Sequence, residues 1–334
     1  MSFSFSSPLS VLLSWAVILV GVYSSLMSVN MMGLWVGLEL TFMGSVGVLG
    51  GFTMGESESL VKYFVVQVVG SCFILVFIMF MVSGLLMWFL DLFFMMGLLL
   101  KLGLFPFHVW VPGVASELSW MGCFLVLVVQ KIVPFWMIFS GLVSLMSFSF
   151  GILELSSIMT GVVGCLGGLQ ILHFRVLLAY SSLIHLGMMV IISVSWGVAF
   201  FWYYCFYFVV NFFFMMSLWV MGIYSFFDVV KSKGSLSWVS LYLFSLSGIP
   251  PFLGSMMKLI FLISSSMISP FACVMLLGSS VVSLYFYMSV FLGLYYSVGG
   301  VVMGRSMSLG WVSFVSVIVN LVFGWMCFIM AGLW

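Results

Sequence analysis

Charged residues are scarce in this chain of 334 residues. Lys, Arg, Asp and Glu together make up 4% of the sequence, whereas 65% of the residues are apolar. A water-soluble domain of this size needs roughly a quarter charged residues to cover its surface, so a soluble fold is excluded. Eight basic against seven acidic residues leave a net charge of +1, which offers no electrostatic attraction to nucleic acid as a partner. The composition predicts a protein whose solvent is the bilayer.

Motifs for metal binding, glycosylation and import are absent as well. The six cysteines lie far apart and no two form a C-x-x-C pair, so the sequence has no zinc or iron–sulfur spacing. No Asn-x-Ser/Thr sequon occurs. Residues 1–38 carry no charge, which argues against a signal peptide or an Arg-rich transit peptide. If the protein is organellar, we therefore expect it to be encoded in the organelle. Its 29 Met and 37 Phe fit a base-skewed genome, and ordinary membrane-protein bias explains them equally well.

Long uncharged segments dominate what is present. About 20 apolar residues cross the hydrocarbon core as a helix, and 52 uncharged residues separate Arg175 from Asp228, which is enough for two crossings. Counting in this way predicts an all-α, polytopic membrane protein with about eleven transmembrane helices, forming a single membrane domain over residues 1–334. The predicted spans are 9–27, 29–51, 61–87, 92–111, 119–146, 152–172, 176–194, 197–223, 236–263, 271–298 and 309–333.

Five of the eight Lys and Arg residues lie in loops, or at the first residues of a span, on one predicted face. With eleven crossings, the loops on the N-terminal side contain five Lys or Arg residues and the loops on the other side contain none. The five are Lys62, Arg175, Lys231, Lys233 and Arg305. By the positive-inside rule, the N terminus is expected in the cytoplasm or matrix and the C terminus on the opposite side.

Lys101, Lys131 and Lys258 fall inside predicted spans, and Glu39 lies near the centre of the second span. At bilayer depth each costs roughly 3 kcal/mol on insertion scales, so such residues usually face a polar interior and mark an ion or substrate path. We therefore predict that these four carry the chemistry of the chain. The structural alternative is that a lysine extends its amine to the interface, or pairs only to hold two helices together. That alternative suits Lys258 best.

Helix breakers interrupt two spans beside these lysines. The fourth span contains Lys101 followed by Gly103 and Pro106, and the ninth contains Gly-Ile-Pro-Pro at 248–251 followed by Lys258. Proline removes a helical hydrogen bond and clashes with the preceding turn, so both helices are predicted to be kinked or unwound there. The alternative is that proline kinks are simply common in membrane helices.

The positions of the two breaks predict an internal repeat. Each break falls in the fourth helix of a group of five, in residues 9–146 and in residues 152–298. Because five crossings are an odd number, the second group is inverted relative to the first, as in many transporters. Span 309–333 is then an additional C-terminal helix.

Six short strings follow one another along the chain and share a family pattern. They are WVGLE at 35–39, KYF at 62–64 with Gln67, KLG at 101–103 running into PFHVWVP at 106–112, QK at 130–131, LAYSS at 178–182 with His185, and SLSGIPP at 245–251. This combination resembles the chain 2 family of mitochondrial NADH-ubiquinone oxidoreductase. The resemblance extends from about residue 25 to residue 290.

This resemblance implies a core membrane-arm subunit of the proton-pumping NADH:ubiquinone oxidoreductase, respiratory complex I. The subunit translocates protons while other subunits transfer electrons, so it belongs to an H⁺-translocating enzyme without a redox centre or nucleotide site of its own. NADH, FMN, iron–sulfur clusters and ubiquinone belong to the rest of the complex. The implied partners are other membrane-arm subunits and phospholipid. The implied location is the mitochondrial inner membrane, with the N terminus in the matrix and the C terminus in the intermembrane space.

Matched by motif, the four buried ionisable residues occupy the proton-translocating positions of the family. Our hypothesis is that Glu39 pairs with Lys101 in one state, and that a change in this pair alters the field at Lys131, which passes its proton toward Lys258. Water and His185 would link these residues, although a histidine bonded to a backbone carbonyl is an equally good explanation. A free-standing cation/proton antiporter and a passive membrane scaffold are the alternative functions.

Overall fold

The structure is a computed structural model, which describes residues 8–51, 53–83, 87–142, 147–171, 173–195, 197–231, 236–250, 252–266, 269–299 and 320. Apart from a single β-bridge between His173 and Ser225, the regular structure in these ranges is helical, which confirms the all-α prediction. The helices are α1 (Pro8–Met27), α2 (Met31–Leu49), α3 (Met54–Ser83), α4 (Met87–Leu102), α5 (Trp110–Ala115), α6 (Trp120–Leu127), α7 (Ile132–Met137), α8 (Ser147–Gly167), α9 (Phe174–Ser195), α10 (Gly197–Met221), α11 (Phe226–Lys231), α12 (Leu236–Ser247), α13 (Leu253–Ser265) and α14 (Pro270–Gly299).

Eight helical segments in the described ranges are long and apolar enough to cross a bilayer. They are Leu9–Met27, Met31–Leu49, Met54–Met81, Trp120–Ser140, Phe150–Gly167, Phe174–Ser195, Gly197–Met221 and Pro270–Gly293. Each of the predicted spans that precede residue 300 overlaps a helix. The last one, 309–333, lies outside the described residues except for residue 320, so the count of eleven stays a prediction.

The chain divides into two compact units, residues 1–160 and 161–334. In the first unit, α1 and α2 form a closely packed pair, α3 packs along α4, and α2 also contacts α3, α6 and α7. Glycine allows these close approaches. A Cβ atom at Gly44 would lie 2.6 Å from Ile18 Cγ1, and one at Gly97 would lie 2.6 Å from Ile74 Cγ1. Small residues of this kind let membrane helices pack backbone to backbone.

The second unit is built around α9. Residues 181–193 of this helix are all buried, and α10, α13 and α14 pack against it. A helix that is apolar and buried on every side must lie at the centre of its unit. The polar side chains within residues 181–193 therefore face protein rather than lipid.

Both predicted helix breaks are present, together with a third break that was not predicted from the sequence. The span predicted at 92–111 is α4, a turn and α5, and the span predicted at 236–263 is α12, a turn and α13. The span predicted at 119–146 is also interrupted, by a 3₁₀ turn at Val129–Lys131 between α6 and α7. Its cause is Pro134, which has no N–H to donate to the carbonyl of Gln130 and whose ring would clash with that carbonyl in a regular helix.

Candidate functional site

The first break places Lys101 in the last turn of α4. Gly103 follows in a left-handed conformation with φ of 75°, and the N–H groups of Gly103 and Leu104 both donate to the carbonyl of Leu99. Only glycine adopts this φ without strain, so the helix ends here. The amine of Lys101 thus lies near the negative end of a helix dipole. The side-chain amide of Gln67 on α3 lies 3.5 Å from the backbone carbonyl of the same lysine.

Glu39 on α2 meets Lys101 inside the first unit. Oε1 of Glu39 lies 3.6 Å from Nζ of Lys101, and the two side chains are 22% and 2% exposed. The same amine lies 5.8 Å from the centre of the Phe42 ring. A separation of 3.6 Å is longer than a direct hydrogen bond, so the two charges attract each other without a fixed bond between them. The predicted pairing of Glu39 with Lys101 is therefore geometrically possible with little movement.

Lys131 is buried in the 3₁₀ turn between α6 and α7, also within the first unit. Its neighbour Gln130 donates a hydrogen bond of 2.9 Å from Nε2 to the carbonyl oxygen of Thr41 on α2. Thr41 lies two residues after Glu39. One hydrogen bond thus ties the turn that carries Lys131 to the helix that carries the acid.

Lys258 lies on α13 in the second unit and reaches back across the second break. Its Nζ donates a hydrogen bond of 2.7 Å to the carbonyl oxygen of Ser247, the last residue of α12. Carbonyls in the last turn of a helix have no intrahelical partner, so the amine satisfies one of them. Gly248, with φ of 74°, follows directly. A Cβ atom there would lie 2.5 Å from Cε of Lys258, so glycine also makes room for the lysine.

His185 lies on the central helix α9 of the second unit. Its Nδ1 is 2.8 Å from the hydroxyl of Tyr203 on α10, and its ring centre is 5.4 Å from that of Tyr207. His185 and Lys258 line the same narrow pocket, whose free space does not admit a water molecule. The other lining residues are Ser181, Ile184, Met188, Leu246, Ser280, Ser283 and Tyr287. The structure thus brings two of the residues predicted from the sequence, His185 and Lys258, to one pocket.

Two features of these surroundings were not predicted from the sequence. The tyrosines around His185 carried no signal, because aromatic residues make up 19% of the whole sequence. Asp91 lies between the predicted spans 61–87 and 92–111 and was therefore not a candidate site residue. Instead α4 begins at Met87, and Asp91 is a buried residue of that helix. In the part of the chain that the structure describes, no group of three or more His, Cys, Asp or Glu side chains could hold a metal ion.

Comparison with known proteins assigns the family. The family model for the NADH:quinone oxidoreductase/Mrp antiporter transmembrane region matches residues 28–283. NADH-ubiquinone oxidoreductase chain 2 of Mytilus edulis is 36% identical over 287 residues, which are 84% of this chain and 85% of that protein. This chain belongs to the NADH-ubiquinone oxidoreductase chain 2 family. The corresponding protein of Locusta migratoria is 29% identical over 82% of each chain. The family predicted from the short sequence strings is thus confirmed.

Solved structures share the fold. A chain of respiratory complex I from Thermus thermophilus with bound aureothin superposes with a TM-score of 0.79 at 20% identity, over 94% of this chain and 78% of that one. A chain of the Mrp complex from Dietzia superposes with a TM-score of 0.70 at 15% identity, over 88% of this chain and 61% of that one. At these identities the likeness establishes the fold and not the individual roles of residues.

Proposed function

We propose that this chain is a membrane-arm subunit of the proton-pumping NADH:ubiquinone oxidoreductase of the mitochondrial inner membrane. In this proposal it translocates protons through buried Glu and Lys residues while electrons pass through cofactors of other subunits. Its relatives are named as chains of that oxidoreductase, and solved structures of complex I and Mrp share its fold. Neighbouring membrane subunits and phospholipid are the proposed partners. The matrix position of the N terminus and organellar encoding belong to the same proposal.

The observation that carries the proposal is the ion pair of the partly buried Glu39 and the buried Lys101, 3.6 Å apart. At an effective dielectric constant of about 20, two unit charges at this distance attract by roughly 4–5 kcal/mol. Moving one charge through a potential of 100 mV requires about 2.3 kcal/mol. Before the cost of desolvating the two charges, the Coulombic attraction within this pair is therefore larger than the energy of moving one charge through that potential.

The roles follow from elementary electrostatics. Removal from water favours the neutral form of an amine, whereas a nearby carboxylate favours the charged form. Glu39 therefore acts as a movable partner of Lys101, and Lys131, on the turn tied to α2 through Gln130, senses the change. In the second unit, Lys258 and His185 share one pocket and serve as the later proton-carrying residues.

A substitution of the central lysine tests this function. In the assembled complex, Lys131→Met should leave NADH oxidation detectable and abolish the proton uptake and release that accompany it. The matched control is Lys62→Met, because Lys62 is half exposed and pairs with Glu58 at the surface of α3. NADH oxidation with undiminished pumping in the Lys131 variant would falsify the proposed function.

An inverted repeat is part of the proposal. In support of it, each unit contains a helix that ends at a glycine with φ near 75°, followed within three residues by proline and accompanied by a buried or partly buried lysine. The proposed repeats remain residues 9–146 and 152–298, with 309–333 as the additional helix.

Two other functions have an observation in their favour. The narrowness of the pocket at His185 and Lys258 favours a passive scaffold, in which buried charges only hold helices together. A scaffold predicts that the double variant Glu39→Gln with Lys101→Met leaves pumping intact, whereas the pump loses it. The Mrp likeness favours a free-standing cation/proton antiporter. Cation-driven proton transport by the purified chain alone in vesicles would support that function, and transport only within the assembly would exclude it.

A further inference from the structure

Asp91 is a buried carboxyl group that the mechanism above does not use. Its residue is 8% exposed, and in the described part of the chain its Oδ1 is buried without a hydrogen-bond partner. Burying a carboxylate in such surroundings without compensation is far more costly than burying the neutral acid. The cost of burial therefore favours the neutral, protonated form of Asp91.

The side chain of Asp91 points into the first unit and not toward lipid. On α4 the residues one and five positions further on, Leu92 and Met96, are 42% and 40% exposed. Phe94 and Leu98, three and seven positions further on, are fully buried. With 3.6 residues per turn, Asp91 lies on the buried stripe together with these two residues.

The helices that pack on α4 are apolar at the level of Asp91. Helix α3 runs antiparallel to α4, because Gly70 lies against Lys101, Ile74 against Gly97 and Phe77 against Phe94. This register places Phe80 level with Asp91. The ionisable residue of α3 nearest to Phe80 in sequence is Cys72, 8 positions away, or about 12 Å along the helix, and the next are Tyr63 and Lys62. Helix α7, which also contacts α4, contains no ionisable residue.

Asp91 and Lys101 lie near opposite ends of α4. Ten residues of helix correspond to about 15 Å, which is half of a hydrocarbon core about 30 Å thick. A proton that leaves the Glu39–Lys101 pair along the buried face of α4 would therefore reach Asp91 close to the membrane boundary.

We propose that Asp91 is a proton-binding residue through which the first unit exchanges protons with the side of the membrane nearest the start of α4. The carboxyl group is protonated in the resting subunit, releases its proton to that side, and regains one from the direction of Lys101. This inference rests on the proposed pumping function, which it extends from the lysines to an acid at the end of the path.

Chemical labelling of the native complex tests the protonation of Asp91. Dicyclohexylcarbodiimide adds to a protonated carboxyl group in an apolar setting, forming an acylurea without a leaving group. The concentration of the reagent is raised until at least one carboxyl group of the chain reacts. The modified peptides are then identified by mass spectrometry. We expect Asp91 to be modified several-fold more than Glu58, which is exposed and paired with Lys62. An unmodified Asp91 beside a modified Glu58 overturns the inference.

Pumping by variants of the assembled complex tests the role of Asp91. Asp91→Asn should lower the number of protons moved per NADH while electron transfer continues, and Asp91→Glu should restore it. A wild-type proton yield in the Asp91→Asn variant overturns the inference. If Lys131→Met abolishes pumping and Asp91→Asn leaves the proton yield unchanged, the role of Asp91 is refuted and the proposed function is not. If Lys131→Met leaves the proton yield unchanged, the proposed function itself is refuted. Should Asp91→Asn prevent assembly, the labelling of the native complex decides.

Discussion

The two broken helices use the same backbone turn but surround their lysines differently. In α4 and in α12 the helix ends at a glycine with φ of 75° or 74°. Lys101 precedes its glycine and meets a carboxylate, whereas Lys258 follows its glycine by ten residues and meets a backbone carbonyl. The same turn therefore occurs in both units, but the group that contacts the lysine differs between them.

This difference indicates which lysine can respond to a change elsewhere. A helix terminus carries only about half a unit of charge, and its position is fixed by the backbone. Glu39 carries a full charge on a side chain that can rotate, and it contacts Lys101 without a short hydrogen bond. The first unit thus contains a contact that can switch, and the second contains one that holds its amine in place.

The largest expected effect comes from removing each lysine in turn. Lys101→Met should destabilise the chain by about 3 kcal/mol, because it leaves Glu39 as a poorly solvated charge without its partner. Lys258→Met should cost only about 1–2 kcal/mol, because it leaves an unsatisfied carbonyl rather than a charge. Equilibrium denaturation of the full chain in detergent, followed by tryptophan fluorescence, measures both.

The double variant Glu39→Gln with Lys101→Met is the control for this comparison. It removes both charges and should recover most of the loss, since the penalty arises from the unpaired acid. Equal destabilisation by Lys101→Met and Lys258→Met, with no recovery in the double variant, would contradict the distinction between the two sites.

Both of these sites could be predicted from the sequence because their signals are local. A charge within an apolar span and a Gly-Pro break beside it are visible in a single segment, and both breaks lie where they were predicted. The third break was equally local. The proline at 134 fixes the turn of Lys131, but it was overlooked within a span that is otherwise continuous and apolar.

Other features depend on packing and could not be derived from one segment. Glu39 and Lys101 are 62 positions apart in the sequence, so their separation of 3.6 Å reflects how α2, α3 and α4 pack. The contact of His185 with Tyr203 likewise depends on how α9 and α10 are aligned. Asp91 was hidden by an error of five residues at the start of α4, a boundary that apolar periodicity defines poorly.

Substitution of the two turn glycines is expected to have an effect of intermediate size, and it tests the difference between the surroundings of Lys101 and Lys258. Gly103→Ala and Gly248→Ala should each cost about 1–2 kcal/mol, because an L-residue is strained at this φ. Only Gly248→Ala should also impair pumping directly, since its new methyl group would displace Lys258 from Ser247. At Gly103 the methyl group would meet Val111 and the ring of Trp110 instead. Denaturation and proton yield, measured on the same variants, separate the two effects.

Gly113→Ala is the matched control for the turn glycines. No heavy atom lies within 4 Å of its added Cβ atom, and Gly113 lies within α5. Alanine in a helix is favoured over glycine, so this variant should be neutral or slightly stabilising. Impaired pumping in Gly103→Ala and normal pumping in Gly248→Ala would reverse the assignment of the lysine contacts.

The smallest expected effect is at Lys62, which pairs with Glu58 on the surface of α3. Their charged atoms are only 2.7 Å apart, closer than those of Glu39 and Lys101, but the side chains are 52% and 68% exposed. Lys62→Gln should leave the denaturation midpoint unchanged at physiological salt, because water and ions screen an exposed pair. A loss comparable with that of Lys101→Met would mean that distance, and not burial, determines the strength of these pairs. The contrast between the two lysines at helix breaks would then have no electrostatic basis.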